Sequence, residues 1–157
     1  MKNTNYIQKG YHAVSPTLAI RNARKAIEWY KTIFGAKEIM RLDNPDGSIA
    51  HAELEIGDSM IMLSEENPDF NSSPEMLGGT SVILNIYVPD VDATSNEALN
   101  NGAKMIFPVK DQFYGDRSGR IQDPFGHMWI ISTNIKAMTP EEMKEEYEQL
   151  LKKEQSV

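Results

Sequence analysis

The sequence predicts an α+β protein built from two tandem β-α-β-β-β modules that form a cleft, followed by a C-terminal helix. The stretch Phe34-Gly35-Ala36-Lys37 recurs 67 positions later as Asn101-Gly102-Ala103-Lys104. In both places it closes a segment with helical periodicity and opens a segment with strand-like alternation. Because neither copy could bury its sheet face alone, the two are expected to pair, and the cleft between them is a natural site for a small molecule.

The first module covers about residues 13–65. Apolar and small polar residues alternate from Ser15 to Ile20, which predicts a strand with one buried face. Asn22 offers an N-cap to the helix that follows, and Gly35 suits the left-handed position after its last turn. Three strands are predicted next, around residues 38–42, 49–56 and 60–64.

The second module covers about residues 81–134 and repeats this order. The pattern predicts a strand at 82–88, a helix from about Val91 to Asn101 that ends at Gly102, and strands at 105–109, 120–122 and 128–133. The Asp123-Pro124-Phe125-Gly126 sequence is typical of a structural turn. Residues 66–80, dense in Asn, Asp, Ser, Pro and Gly, are interpreted as a linker between the modules.

A C-terminal helix is predicted at about residues 139–153. Thr139 offers an N-cap, Pro140 suits the first helical position, and acidic residues follow in the first turn. Its apolar stripe is expected to pack on the same subunit or on a partner, and consists of Met143, Tyr147, Leu150 and Leu151.

Composition limits the partners. The 157 residues, 40% of them hydrophobic, are enough for one substantial domain core. The net charge of −7 disfavours nucleic acid and anionic membranes as partners. No cysteine is present, so disulfides and thiolate metal ligands are excluded. With no apolar run of membrane-spanning or signal-peptide length, the chain is interpreted as a single-domain cytoplasmic protein.

Two passages resemble a known family. They are Ala26-Ile27-Glu28-Trp29-Tyr30 with the Phe34-Gly35-Ala36 that follows, and the run from Tyr114 to His127. The chain is similar to the vicinal oxygen chelate superfamily of glyoxalases, bleomycin-resistance proteins and dioxygenases, and most similar to its PhnB-like branch. The resemblance implies a fold of two paired modules forming a glyoxalase-like cleft, and a homodimer.

The resemblance also implies where a metal ion would lie. In metal-dependent members, four ligands come from the first and fourth strand of each module, and by position these fall on Ser15, Met62, Ile83 and Ile130. Methionine and isoleucine supply neither the oxygen nor the imidazole nitrogen that a hard divalent ion requires. We therefore expect no metal ion and no cofactor at the inherited site.

Strand alternation predicts which side chains face the cleft. The expected surface is an apolar, methionine-rich floor with polar groups along one wall, which suits a ligand with a hydrophobic body. The same residues could also be plain core. The predicted ligand-binding residues are Ser15, Thr17, Met60, Met62, Ile83, Asn85, Tyr87, Tyr114, Arg117, Arg120, Met128 and Ile130.

His51 and Glu53 form the sharpest polar pair, since residues two apart on a strand share a face. They are the candidate catalytic residues, and could hold a proton, bind an amine, or form half of a displaced metal site. Alternatively, they line a solvated strand edge. His127 is interpreted as a structural hydrogen-bonding residue.

Asp116 and Arg117 are predicted to lie in a glycine-flanked loop before a strand. An ion pair between them could pin the loop. Alternatively, the loop could close over a ligand with Phe113 and Tyr114, with Arg117 or Arg120 meeting an anionic group.

Three functions follow as hypotheses. The first is a metal-free protein of the bleomycin-resistance type that sequesters a largely apolar small molecule between the modules. The second is a lyase or isomerase that acts on a small carbonyl compound through His51 and Glu53. The third is a non-catalytic interaction module that uses the dimer surface and the C-terminal helix.

Overall fold

The computed structural model describes residues 6–155, and over these residues the fold is α+β, as predicted. The chain divides into two compact units. The first unit comprises the described residues up to Ser81 together with Pro124–His127. The second comprises Val82–Asp123 together with the described residues from Met128 onward. Each unit has one four-stranded mixed sheet within this part of the chain.

The first unit follows the predicted order of strand, helix and three strands. Its elements are β1 (Thr17–Ile20), α1 (Ala23–Phe34), β2 (Lys37–Asp43), β3 (Ile49–Ile56) and β4 (Ser59–Glu65). The strands lie in the order β1-β4-β3-β2, with β1 parallel to β4 and the other neighbours antiparallel. Strand β3 is thus internal, so the alternative that His51 and Glu53 line a strand edge is wrong.

The start of α1 differs from the prediction. Asn22 occupies the N-cap position, but its backbone is left-handed, with φ 65°, and its side chain makes no capping hydrogen bond. Instead, the Glu65 carboxylate accepts hydrogen bonds from the backbone N–H groups of Asn22 and Ala23, at 2.8 and 3.0 Å. A carboxylate distant in sequence therefore satisfies N–H groups that the helix leaves free. The prediction for Gly35 is confirmed, since its φ is 63°.

The turn at Pro124–His127 packs within the first unit. Phe125 meets Tyr30 of α1 edge-on, with ring centroids 6.3 Å apart. The buried His127 donates from Nε2 to the backbone carbonyl of Ala19 at 3.1 Å. The interpretation of this turn and of His127 as structural is confirmed by these contacts.

The segment interpreted as a linker has local structure of its own. It contains the short helix α2 (Pro74–Leu77), whose N-cap is Ser73. The Ser73 hydroxyl also donates to the Glu66 carboxylate, which pairs with Arg21. Polar and turn-forming residues here make capping and ion-pair contacts that composition alone does not reveal.

The second unit repeats the order of the first. Its elements are β5 (Ile83–Tyr87), α3 (Val91–Asn100), β6 (Lys104–Asp111), β7 (Asp116–Gln122) and β8 (Met128–Asn134). The strands lie in the order β5-β8-β7-β6, with β5 parallel to β8. Buried Trp129 stabilises the start of β8, because its indole N–H donates to the Asp123 carboxylate at 2.9 Å.

Strand β7 begins earlier than predicted. Asp116 and Arg117 are its first residues and pair with Asn134 and Thr133 of β8. The expectation that both lie in a loop is therefore wrong. The sequence does not indicate the start of this strand, because its glycine and charged residues are uncommon in strands. The strand forms because it pairs with β6 on one side and β8 on the other.

The C-terminal helix α4 (Pro140–Glu154) forms as predicted, with a capping box between Thr139 and Glu142. None of its residues is buried. Tyr147 contacts the ring of Phe113, with centroids 5.3 Å apart. Within residues 6–155, no helix has the length and apolar character needed to cross a membrane.

Each sheet has a helix face, whose side chains point toward α1 or α3, and an opposite face that we call the open face. Alternation assigns residues to the two faces, and burial agrees, since Ala52 and Leu54 on the helix face are fully buried. The open face of the first sheet carries Thr17, His51, Glu53, Met60 and Met62, and that of the second carries Ile83, Asn85, Tyr87, Ser118, Arg120, Met128 and Ile130.

Candidate functional site

The open face of the second sheet contains a cavity of about 290 Å³. Its floor is formed by β7 and β8, where Arg120 pairs in register with Ile130. Strand β6 and the turn after it supply the walls. The lining residues are Phe107, Pro108, Lys110, Gln112, Tyr114, Ser118, Gly119, Arg120 and Ile130. Three of the predicted ligand-binding residues, Tyr114, Arg120 and Ile130, therefore come together here.

Arg120 is the central polar group of this cavity. Its guanidinium lies over the Phe107 ring, with Cζ 5.0 Å from the ring centroid. Among the described residues, its buried Nε has no hydrogen-bond partner. A buried N–H without a partner is costly, because its interaction with water has been lost without replacement. The guanidinium therefore packs on the aromatic ring, while one buried donor is left without a partner in the described part of the chain.

Neutral polar groups surround Arg120. The Tyr114 and Ser118 hydroxyl groups lie 3.3 Å apart, and the Gln112 amide donates to the Ser118 carbonyl at 3.4 Å. Lys110 adds a second cation, and no acidic side chain is among the described residues that line the cavity. The local charge is therefore positive, although the chain as a whole carries a net charge of −7.

The close approach of β6 depends on Gly119. A Cβ at this position would lie 2.8 Å from Val109 Cγ2 and 3.1 Å from the Val109 backbone nitrogen. The β6 register shifts on both sides of Phe107 as it pairs with β7. The missing side chain thus lets irregular β6 backbone lie against β7 and carry the Phe107 ring to Arg120.

Arg117 lies on the helix face, opposite to Arg120. It pairs with Asp92 of α3 at 2.7 Å and with Asp111 at 2.9 Å. These two carboxylates raise the pKa of the Arg117 guanidinium, Asp92 having the larger effect. The expected ion pair with Asp116 is not formed, because adjacent strand residues point to opposite faces.

The predicted polar residues on β5 engage their own neighbours. The Tyr87 hydroxyl donates to the buried Asp116 carboxylate at 2.8 Å, and this contact raises the pKa of Tyr87. Asn85 accepts a hydrogen bond from Ser132 at 3.3 Å. On the same face, Ile83 and Met128 are paired in register.

A second polar cluster lies on the open face of the first sheet. The His51 Nε2 and Glu53 Oε1 atoms are 3.2 Å apart. The buried Tyr11 hydroxyl lies near the Glu53 carboxylate, although without the geometry of a well-aligned hydrogen bond. Proximity to Glu53 raises the pKa of Tyr11 to about 12. Tyr11 and then His51 lower the pKa of Glu53 below its usual value.

The N-terminal segment lies over part of this face. Tyr11 and His12, together with Ser15 and Met62, line a shallow cavity of about 310 Å³. Thr17 is beside Met62 in register, whereas Met60 is only 5% exposed. Ser15 and Met62 therefore share a surface, while Met60 has the burial of a core residue.

The donor set at the positions inherited for a metal ion does not suit one. The family resemblance assigns these positions to Ser15 and Met62 in the first unit, and to Ile83 and Ile130 in the second. Their side chains offer one hydroxyl, one thioether and hydrocarbon, whereas hard divalent ions take carboxylate oxygen or imidazole nitrogen. Among residues 6–155, no three His, Asp or Glu side chains form a group that could hold a metal ion.

Sequence reasoning missed several residues of both clusters. Phe107 lies in a strand that was predicted, but the irregular register of β6 hides which face each residue occupies. Tyr11 lies in an N-terminal segment without periodicity, so no pattern linked it to Glu53. The basic and aromatic residues of the 107–114 stretch were the available signal, since they cluster next to Arg120 only after β6 and β7 pair.

The sequence matches a family of known proteins. The family model described as Glyoxalase/Bleomycin resistance protein/Dioxygenase superfamily matches residues 12–131. Uncharacterized protein Mb0911c of Mycobacterium bovis is 38% identical over 136 residues, covering 84% of this chain and 90% of that protein.

Two solved structures are similar. TioX from Micromonospora sp. ML1 is 26% identical with a TM-score of 0.60, and the match covers 82% of this chain and 100% of TioX. The PhnB protein from Bacillus cereus shares the fold at 14% identity, with a TM-score of 0.59 and coverage of 78% and 99%. The match over residues 12–131 establishes that the chain belongs to the Glyoxalase/Bleomycin resistance protein/Dioxygenase superfamily.

Proposed function

We propose that the protein binds a small, largely apolar molecule without a metal ion and sequesters it unchanged. The observation that carries this proposal is the cavity of about 290 Å³ on the open face of the second sheet. Phe107, Pro108 and Ile130 give it apolar walls, and Arg120 gives it an orienting donor. Ligand pockets typically combine such a lining with a few polar groups.

Binding without metal is supported by the residues at the inherited ligand positions. The isoleucines at positions 83 and 130 place hydrocarbon where a metal-dependent relative needs donor atoms. Apolar side chains at those positions add contact surface for a hydrophobic ligand instead.

The test is a thermal-shift screen of small neutral and charged aromatic compounds, performed with and without EDTA. A ligand that binds only the folded state raises the melting temperature, and the shift should persist in EDTA. Chromatography of the recovered compound should show it unchanged. A shift that requires a divalent ion, or conversion of the compound, would contradict the proposal.

Matched variants locate the binding surface. Ile130→Gln should reduce the ligand-induced shift, because it places an amide on the cavity floor. Ile39→Gln, on the 53% exposed Ile39 of β2, should leave the shift as in the parent protein. Equal ligand-induced shifts in the two variants would place the ligand elsewhere.

The proposal includes a homodimer of the PhnB-like branch that acts in the cytoplasm. Support for self-association comes from large apolar side chains left exposed on strands and on α4, including Leu42, Phe107 and Tyr147. Light scattering on the purified protein should give twice the chain mass of 17.7 kDa. A monomer mass at micromolar concentration would remove the dimer from the proposal.

A second candidate function is acid–base chemistry on a small carbonyl compound. It is favoured by the cluster of Tyr11, His51 and Glu53, in which Glu53 has a lowered pKa and is therefore a carboxylate at neutral pH. Such a carboxylate next to an imidazole can hold a proton taken from a carbon beside a carbonyl group.

Solvent exchange tests this candidate directly. In D₂O, the protein should accelerate the incorporation of deuterium at the carbon beside the carbonyl group of dihydroxyacetone. Proton NMR measures the rate of this exchange. Glu53→Gln should abolish the acceleration while the fold is retained by circular dichroism. Absence of acceleration by the parent protein would eliminate the candidate.

A further inference from the structure

We propose that the Arg120 cavity takes a small organic carboxylate whose body is a single ring. This inference rests on the proposed binding function and adds to it the chemical class of the ligand. The contacts of Arg120, the charge of the cavity and its size each contribute to the assignment.

The first argument is the free donor of Arg120. Its Nε is buried without a hydrogen-bond partner among the described residues, and the guanidinium plane is supported by Phe107 at 5.0 Å. Arginine presents Nε and a terminal nitrogen as a fork that matches the two oxygens of a carboxylate. A carboxylate bound in this way would satisfy the buried N–H.

The second argument is charge. Arg120 and Lys110 line the cavity, and the described residues that line it include no acidic side chain. The nearby arginine on the other face, Arg117, is neutralised by Asp92 and Asp111. Within residues 6–155, Arg120 thus differs from Arg117 in having no carboxylate partner, and an anionic ligand would supply one.

The third argument is size and polarity. A volume of about 290 Å³ lies at the lower end of the range for ligand pockets, roughly 300–1,000 Å³. Phe107, Pro108 and Ile130 offer apolar surface next to the arginine. The Tyr114 and Ser118 hydroxyl groups, 3.3 Å apart, share one hydrogen bond. A single ring with one carboxylate fits this combination better than a bare ion.

The experiment compares four probes by NMR on protein labelled at arginine side chains. Benzoate has both the ring and the charge, benzamide keeps the ring without the charge, and acetate keeps the charge without the ring. Inorganic phosphate tests an oxyanion of different shape. Benzoate should shift the Arg120 Nε–H resonance and bind at least tenfold more tightly than benzamide or acetate.

Variants of Arg120 separate the effect of its forked hydrogen-bond geometry from the effect of its charge. Arg120→Gln should reduce benzoate affinity at least tenfold, and Arg120→Lys should give an intermediate loss because it keeps the charge but not the fork. Arg24→Gln, which removes an arginine paired with Asp43 in the first unit, is the matched control and should bind benzoate as the parent does. Circular dichroism confirms that each variant is folded.

The outcomes distinguish this inference from the proposed function. Equal affinity for benzoate and benzamide, unchanged by Arg120→Gln, would overturn the carboxylate assignment and leave sequestration standing. Tighter binding of phosphate than of benzoate would also overturn it, in favour of a phosphate site. If benzoate does not bind and the thermal-shift screen yields no ligand, both proposals fail together.

Discussion

The Tyr11 hydroxyl and the Glu53 carboxylate show how single polar residues depend on distant neighbours. Glu53 lies on an internal strand, where its carboxylate faces Tyr11 and His51. A carboxylate with nearby donors stays ionised to lower pH, and the phenol beside it keeps its proton to higher pH. The contact between Tyr11 and Glu53 therefore contributes to both pKa shifts, which have opposite signs.

Tyr11→Phe should raise the pKa of Glu53 toward its usual value of 4.5. Because the folded-state pKa is depressed in the parent, this contact stabilises the fold at neutral pH and stops doing so as the pH falls through that pKa. The difference in unfolding free energy between parent and variant should therefore be present at pH 7 and disappear at strongly acidic pH. Urea unfolding at both pH values measures this difference.

Tyr6→Phe serves as the control, since Tyr6 lines the same shallow cavity but does not shift the Glu53 pKa. NMR titration of the Glu53 carboxyl carbon gives the pKa directly. An identical Glu53 pKa in parent and Tyr11→Phe protein would show that the contact has no electrostatic effect.

The Asp116 carboxylate is the acceptor for two neighbours and should be sensitive to substitution. Tyr87 and Asn134 donate to its two oxygens, each at 2.8 Å. Asp116→Ala should cost about 1–3 kcal/mol of unfolding free energy, because Tyr87 loses this acceptor and Asn134 loses the shortest of its hydrogen bonds. Tyr87→Phe removes only one hydrogen bond and should cost about 1 kcal/mol in chemical denaturation. A larger loss in Tyr87→Phe than in Asp116→Ala would contradict this account.

Helix α1 is stabilised at its start by a strand. Glu65, the last residue of β4, accepts from the first two N–H groups at the helix start, whereas the Asn22 side chain makes no cap. Glu65→Ala should therefore cost roughly 0.5–2 kcal/mol, the range found for loss of a helix cap. Asn22→Gly should be nearly neutral or stabilising, since glycine adopts a φ of 65° without strain.

Thermal and urea unfolding of both variants measure the effect. A greater loss of unfolding free energy in Asn22→Gly than in Glu65→Ala would contradict this account, because it would mean that the Asn22 side chain stabilises the helix start.

Strand β6 should respond strongly to a small change in its neighbour. Gly119→Ala would bring a methyl group within 2.8 Å of Val109 Cγ2, so β6 would have to move away from β7. We expect a loss of about 1–3 kcal/mol, as for other overpacked sites. Phe107 would also shift, which should alter the Arg120 Nε–H resonance. An unchanged resonance in a folded Gly119→Ala protein would show that β6 does not set the position of Phe107.

Sequence reasoning predicted most elements because they are encoded locally. The left-handed Gly35 and the capping box at Thr139 are short patterns whose energy comes from neighbouring residues. The start of β7 and the cap of α1 were missed, since Asp116 pairs with Asn134, and Asn22 depends on Glu65. Long-range pairing leaves no periodic signal in the chain.

The candidate site was predicted only in part for the same reason. Arg120 and Ile130 follow from strand alternation and Tyr114 from its place in a predicted loop, and the structure places all three around one cavity. Alternation alone could not assign Phe107, since the register of β6 changes on either side of it.

For the molecule as a whole, α4 should contribute little to stability. It buries no residue, and its Tyr147 contacts Phe113. Such an aromatic pair is worth about 0.5–1.5 kcal/mol. Ending the chain after Met138 should therefore lower the melting temperature by only a few degrees, as measured by circular dichroism. Loss of cooperative unfolding would show that the helix is required for the fold.

The placement of Pro124–His127 within the first unit has a consequence for any division of the protein into its two halves. The sequence repeat would make each half a natural choice for expression as a separate fragment. In the present chain, however, Tyr30 and Ala19 rely on Phe125 and His127, which are encoded in the other half. A fragment ending at Ser81 would lack both contacts, so the boundary of the sequence repeat is not a suitable place to cut the chain.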